Sequence, residues 1–597
     1  MYSIAVSAGI WLGVFVALVA SQPQVTVEQG ALFGTTVTFQ EDEFINITKN
    51  IDVFKGIPFA EPPVGSLRFR APVEKSSWGS EVYNATYFRY ACIQGSGGQN
   101  SIYTNEDCLY LNIYAPSSRR IEGVPVMVWI HGGLFSFGSG SQPGYDGMPL
   151  VAVGDVIVVT LNYRLDILGF LNTDDEASSG NAGLKDQQMA MKWIKNNIAA
   201  FGGDSNSITI FGESAGSASV SFHILSKMSE GLFNQAIMQS GTAFAFWAFY
   251  DKEDEMKSQA FQVGAKLGCS ASESAALVDC LREQDALALV AASTEIQFRT
   301  CAVVDGEFLS DTPANLYSTG QYNHAKILLG TNADEGTLSV LVGPYYEQYF
   351  TSEVAPFISR DVFELGLSQH LNYAFGPEHD PILADTFRMQ YIDWSQADNE
   401  TADYFNALVE LNGDSAFVCP TDRVARIHAQ EGGTVFLYQM TQVPTVSIYN
   451  VGGVQPGWLG ATHTEDIPFV FGRVFDPELF YLSPFVPDPE KALSVKFMEY
   501  WTNFAKTGNP VSANDMWPEF TIPELRYKEL NVNMATGRAL KSNQCHFSNT
   551  YLMQLQTMLA NIEATEREWK ESFYTWKYTD MADWREQFNQ YKALTGN

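Results

Sequence analysis

Two apolar rhythms run along the chain. Segments such as "VPVMVWI" (124–130) and "DVIVVTLNYR" (155–164) are short, β-branched and apolar on both faces. A strand with no polar face belongs in a sheet covered on both sides, as parallel and mixed sheets are. "SITIF" (207–211), "AKILLGTN" (325–332) and "GTVFLYQM" (433–440) repeat the pattern, and "QVTVEQGALFGTTVTF" (24–39) adds short β-rich runs near the start. Between them the spacing turns helical: Leu184, Met189, Met191, Trp193, Ile194 and Ile198 recur over 182–200, and "SASVSFHILS" follows "SITIF". Strands alternating with helices predict an α/β fold with a large, mixed, mostly parallel central sheet flanked by helices.

The two ends differ from this body. Residues 1–21 form an apolar run that closes on the small residues Ala20 and Ser21. They predict a secretory signal, although no basic residue opens it; an uncleaved membrane anchor is the competing reading. From 549 onward neither Gly nor Pro occurs until Gly596, and aromatic and charged residues recur at helical spacing. This predicts a separate helix over 549–597, leaving 22–548 as the main domain.

Composition narrows the function. The 597 residues carry a formal charge of −32. So acidic a surface excludes nucleic acid, whose phosphates need a basic patch, and favours cationic ligands if it favours any. Seven cysteines fit an oxidising destination. Cys92 with Cys108 and Cys269 with Cys280 suggest local bridges, Cys419 with Cys545 a long clamp, and Cys301 is left over; spacing alone leaves the connectivity open. Sequons at Asn46, Asn84 and Asn399 fit a secreted glycoprotein.

The chemistry centres on "GESAG" (212–216), which sits between a predicted strand and a predicted helix. That context makes it a nucleophile elbow: Ser214 occupies a tight turn, and flanking glycines let the turn pass its neighbours. A serine hydroxyl needs a base and an acid that orients the base. Of the eight histidines, His463 in "GWLGATHTEDIPFVFG" and His131 in "HGGLFSFGSG" have suggestive settings. The glycines after His131 mark an oxyanion-hole loop, so His463 remains as base. The acid belongs between serine and histidine in chain order. Asp334 and Glu335, ending the apolar run of "LLGTNADEGT", both qualify.

Long stretches resemble the type-B carboxylesterase and cholinesterase family of the α/β-hydrolase superfamily: "FKGIPFAEPPVGSLRFRAP", "NEDCLYLNIYAP", "GNAGLKDQQMAMKWIKNNIAAFGGDSNSITIFGESAGSASV" and "MQSGTAF". The resemblance covers about 30–548. It implies a triad of Ser214, Glu335 and His463, an oxyanion hole from the N–H groups of Gly133, Leu134 and Ala215, and disulfides Cys92–Cys108, Cys269–Cys280 and Cys419–Cys545. It implies no metal or cofactor, and it places Trp247 at an acyl-pocket position. The activity implied is that of a secreted serine esterase acting on small to medium carboxyl esters through an acyl-enzyme. A choline esterase with a rebuilt cation site is one alternative; a non-enzymatic adhesion or scaffold protein is another.

The tail resembles the tryptophan-rich tetramerisation helix of vertebrate cholinesterases. Trp569, Phe573 and Trp576 are spaced four and three apart; Trp584, Phe588 and Tyr591 repeat that step after a gap of eight. The resemblance implies a homo-oligomer, dimer or tetramer, around a proline-rich anchoring protein that would tether it at the cell surface. The usual cysteine near the tail's end is missing. Other departures concern substrate. The loop "IQGSGGQNSIYTNED" between Cys92 and Cys108 has Tyr103 as its only aromatic residue and lacks the tryptophan on which relatives seat a quaternary ammonium. Leu338 and Ser339 stand where relatives have aromatics, and Leu134 replaces a smaller oxyanion-loop residue. These departures predict weak choline selectivity.

Overall fold

The computed structural model describes residues 22–95, 103–118, 123–342, 354–376, 379–396, 399–449, 457–475, 486–512 and 515–595. The expected signal, 1–21, lies outside them. An 11-stranded sheet forms the centre. Its strands run, edge to edge, Thr35–Glu41, Ile47–Pro58, Tyr110–Pro116, Ile157–Leu161, Val124–Ile130, Gly203–Glu213, Gln235–Gln239, Lys326–Asn332, Val435–Met440, Arg526–Leu530 and Thr536–Arg538. Pairing is parallel from Ile157–Leu161 to Arg526–Leu530 and antiparallel at both margins. A smaller sheet joins Gln24–Val27, Gly30–Phe33 and Tyr83–Asn84.

Apolar residues on both faces of a strand feed two separate cores. In Val124–Ile130, Val126, Val128 and Ile130 enter one cluster with the helices Ala182–Asn197 and Ala215–Leu225. Met127 and Trp129 enter the other, with Phe497 and Trp501 of the helix Asp488–Thr507. This alternation explains why the strand sequence has no polar face. The chain leaves Val124–Ile130 towards one edge of the sheet and Gly203–Glu213 towards the other. Between two such strands the loops diverge, and a crevice opens at the carboxyl ends.

Disulfides join Cys92 to Cys108, Cys269 to Cys280 and Cys419 to Cys545. Cys301 is buried and free, and burial pushes its thiol up to about 12. Asn46, Asn84 and Asn399 are all exposed. At Asn84 and Asn399 the side-chain oxygen accepts from the N–H and hydroxyl of the sequon threonine, Thr86 or Thr401. The C-terminal helix shows no break at 549. It starts at Ser542, passes through a π-helical turn at Phe547–Tyr551 and packs on the body through Phe547, Leu552, Leu555 and Leu559.

Candidate active site

Gly203–Glu213 ends in the elbow. Ser214 has φ 57° and ψ −122°, a strained backbone for a non-glycine residue, and the helix Ala215–Leu225 begins directly after it. The flanking glycines are there for contact. A Cβ on Gly216 would stand 1.9 Å from the Ile130 carbonyl oxygen, and one on Gly212 would stand 2.6 Å from it. Both would collide with the neighbouring strand's backbone, which cannot withdraw without breaking the sheet. Ser214 is thus fixed at the sheet's carboxyl edge, beside a helix N-terminus that favours negative charge.

The strand Lys326–Asn332 leads directly into Asp334 and Glu335. Glu335 is buried and accepts three hydrogen bonds: from Asn332 N–H at 2.7 Å, from the Ser240 hydroxyl, and from His463 Nδ1 at 2.6 Å. Asp334 does something else. Its Oδ2 accepts from Ala461 N–H at 2.8 Å, and its own N–H donates to the Ala461 carbonyl. Asn332 Nδ2 donates to the Thr462 carbonyl at 2.7 Å. Asp334 and Asn332 therefore hold the histidine loop, while Glu335 contacts the imidazole.

His463 is buried against the Phe417 ring, with centroids 4.5 Å apart. Its Nε2 lies 3.1 Å from Glu213 Oε1, on the residue preceding the serine. Ser214 Oγ makes no hydrogen bond to the imidazole in this arrangement; such bonds commonly tighten only once substrate is bound. Burial lowers the histidine's proton affinity, but the Glu213 and Glu335 carboxylates more than reverse this and hold it at about 9. Burial raises Glu213 well above the usual carboxylate range, against the pull of His463. Glu213 and His463 therefore compete for a proton, and when Glu213 holds it Nε2 is left as an acceptor. Asp466, raised by burial, accepts from Gln239 and Tyr438 behind this pair. Glu465 is pushed up to about 8 by burial, against the Ser447 hydroxyl that donates to it.

The loop after His131 reaches the elbow. Gly132 is so close that a Cβ there would stand 3.0 Å from Ser214 Cβ. Gly133, Leu134 and Phe135 all have positive φ, at 106°, 51° and 56°. Among the described residues, no group accepts from the N–H of Gly133, Leu134 or Ala215. The Leu134 side chain is half-exposed between neighbours that are more buried. His131 itself is structural: it stacks on Tyr163, Nδ1 lies 2.8 Å from the Gly132 carbonyl, and burial lowers it to about 4, so it is neutral at physiological pH. Trp247 is buried, donates to the Ala416 carbonyl at 3.0 Å and packs on Phe417, one ring removed from His463.

Glu213, Ser240, Asn332, Phe417 and Asp466 surround Glu335 and His463 and were not singled out by sequence. Glu213 was the recoverable one, as the variable position inside G-x-S-x-G; the others depend on packing between distant segments. Among the described residues, no group of three or more His, Cys, Asp or Glu is arranged to hold a metal ion.

Removing the Glu213 charge has a predictable sign. A general base works deprotonated, so activity is present above its pKa and lost as pH falls through it. The Glu213 carboxylate raises His463. Glu213→Gln should therefore shift the acidic limb of kcat/KM for p-nitrophenyl acetate to lower pH. A limb that stays put or moves to higher pH would show that Glu213 does not govern the imidazole.

The family model described as "Carboxylesterase family" matches residues 21–548. Similar curated proteins include the acetylcholinesterase of Bungarus fasciatus, 36% identical over 91% of this chain and 89% of its own length. The cholinesterase of Mus musculus is 34% identical over 94% and 95%, and the acetylcholinesterase of Electrophorus electricus 34% over 91% and 91%. Among the described residues no helix is long and apolar enough to cross a membrane. The elbow strand, the mostly parallel sheet and this span of similarity lead to one conclusion: the chain belongs to the carboxylesterase family and is a carboxylic ester hydrolase.

Proposed function

We propose that the protein is a secreted serine esterase in which Ser214 is the nucleophile, His463 the general base and Glu335 the orienting acid. The observation that carries this reading is the buried 2.6 Å contact between His463 Nδ1 and Glu335, on an imidazole whose other nitrogen faces the elbow. His463 takes the Ser214 proton as the oxygen attacks the ester carbonyl. Glu335 fixes the tautomer and stabilises the imidazolium. Charge on the carbonyl oxygen is met by the N–H groups of Gly133, Leu134 and Ala215, each such donor being worth about 3 kcal/mol. His463 then passes its proton to the leaving alcohol. Water, deprotonated by His463, releases the acid from the acyl-enzyme.

The substrates fitting this site are small to medium carboxyl esters, with Trp247 bounding the acyl side. Secretion is supported by the apolar leader 1–21, the three disulfides and the exposed sequons. Residues 22–548 act as the catalytic domain, and the tail associates copies of the chain.

The names of the relatives favour a second reading, hydrolysis of choline esters. Against it, the first disulfide loop has no tryptophan, and Leu338 and Ser339 follow the acid. Each lost cation–π face removes up to about 2 kcal/mol of ammonium binding. Comparing acetylcholine with its uncharged carbon isostere separates the readings. Equal kcat/KM is expected; a preference for the cation of about tenfold or more, which is 1.4 kcal/mol, would establish a rebuilt cation site.

A further inference from the structure

The tail contains two blocks with the same internal spacing. Trp569, Phe573 and Trp576 are four and three apart, as are Trp584, Phe588 and Tyr591. A basic residue follows the first and third aromatic of each block: Lys570, Lys577, Arg585 and Lys592. Within a block this is heptad spacing, which keeps one seam on a helix. Between blocks, Trp576 to Trp584 and Lys577 to Arg585 are each a step of eight. At about 100° per residue, a step of eight ends about 80° past a whole number of turns, whereas a step of seven ends about 20° short. In an unbroken α-helix the second block would face roughly a quarter-turn away from the first.

The backbone leaves α-geometry at that gap. Leu552–Thr575 and Met581–Thr595 are α-helical, and Trp576–Asp580 between them is a π-helical turn. A π turn bonds i to i+5 and so accommodates one more residue than an α turn. The surplus residue and the turn that absorbs it fall at the same place. All six aromatics are between 40% and 63% exposed. Within the blocks the rings stack, Trp569 on Phe573 at 5.6 Å and Trp584 on Phe588 at 5.2 Å. Among the described residues, those that pack this helix on the body reach no further than Leu559, before the first block.

We propose that the π turn Trp576–Asp580 is a register device: it takes up one surplus residue so that both aromatic blocks form a single seam, which pairs with the same seam of a second copy of this chain. The inference rests on the tail association proposed above and adds how the seam stays in line. A second copy fits because two blocks of identical spacing offer knobs and matching holes to each other. In phase, the blocks cover 569–591, about three heptads, near the length at which a coiled-coil seam becomes self-sufficient; out of phase, neither block reaches about half of that.

Sedimentation velocity on the full chain tests this, with ester hydrolysis per chain as the control for folding. Deleting Thr579 makes the step seven and removes the need for the π turn, so association should match the parent. Inserting one alanine after Thr579 makes the step nine, beyond one π turn, and should weaken association by about tenfold or more. Trp584→Ala should weaken it comparably. If the Thr579 deletion dissociates while the parent stays associated, or if the alanine insertion leaves association unchanged, the register device is wrong and tail association stands. If the parent is monomeric, or if Trp584→Ala associates as the parent does, the seam does not join copies and both readings fall.

Discussion

Ser214→Ala should lower kcat for p-nitrophenyl acetate by about 10⁶-fold without lowering the melting temperature. The magnitude follows from the hydroxyl's being the atom that forms the acyl bond; what survives is the roughly 10³–10⁴-fold advantage over water that an oxyanion hole and binding supply alone. The unchanged stability follows from the site. Ser214 Oγ donates to no group that the fold depends on, and the residue's strained φ of 57° is set by the elbow, not by its side chain. A continuous assay and a thermal melt on one preparation separate the two effects. Substantial turnover in a folded variant would move the nucleophile elsewhere.

The second large effect is at the acid. Glu335→Gln should cost about 10⁴-fold in kcat, with KM little changed. Glu335 accepts from Asn332 N–H, the Ser240 hydroxyl and His463 Nδ1. A glutamine can meet the first two only by turning its amide N–H₂ towards His463, which demands the opposite tautomer and places a proton on Nε2. The imidazole then cannot take the serine proton. Asp334→Asn supplies the contrast. Its carboxylate accepts from Ala461 N–H in the histidine loop, which an amide oxygen also accepts, so kcat should change by no more than about threefold. The reverse ranking would make Asp334 the acid.

The sequence was most readable where periodicity was uninterrupted. Val124–Ile130, Lys326–Asn332 and Ala182–Asn197 fall within a residue or a few of the boundaries their patterns suggest, because burial on both faces or along one stripe leaves little choice of residue. Gln235–Gln239 was not singled out as a strand: it is five residues long, with glutamines at both ends, and Gln239 is buried because it bridges Asp466 and Trp501. Arg526–Leu530 was missed because a charged strand near the sheet margin carries no apolar run. The elbow was legible since strand, glycines and helix are contiguous. The contact between Glu213 and His463 was not, since only the sheet's topology brings residues 250 positions apart together, and Asp466, three residues after His463, is marked by no motif. The tail's helix was legible from 549 onward, whereas its start at Ser542 and its π turn at Trp576–Asp580 needed coordinates: the gap of eight implies that something must absorb a residue, and the backbone shows a turn that can.

The relay is tested most directly by treating the folded chain with a fluorophosphonate and mapping the adduct by peptide mass. One adduct per chain, on Ser214, with ester hydrolysis lost in proportion to labelling, is the expected result. An active chain that stays unlabelled at Ser214, or that carries its adduct on another side chain, would contradict the assignment of His463 and Glu335 to that serine.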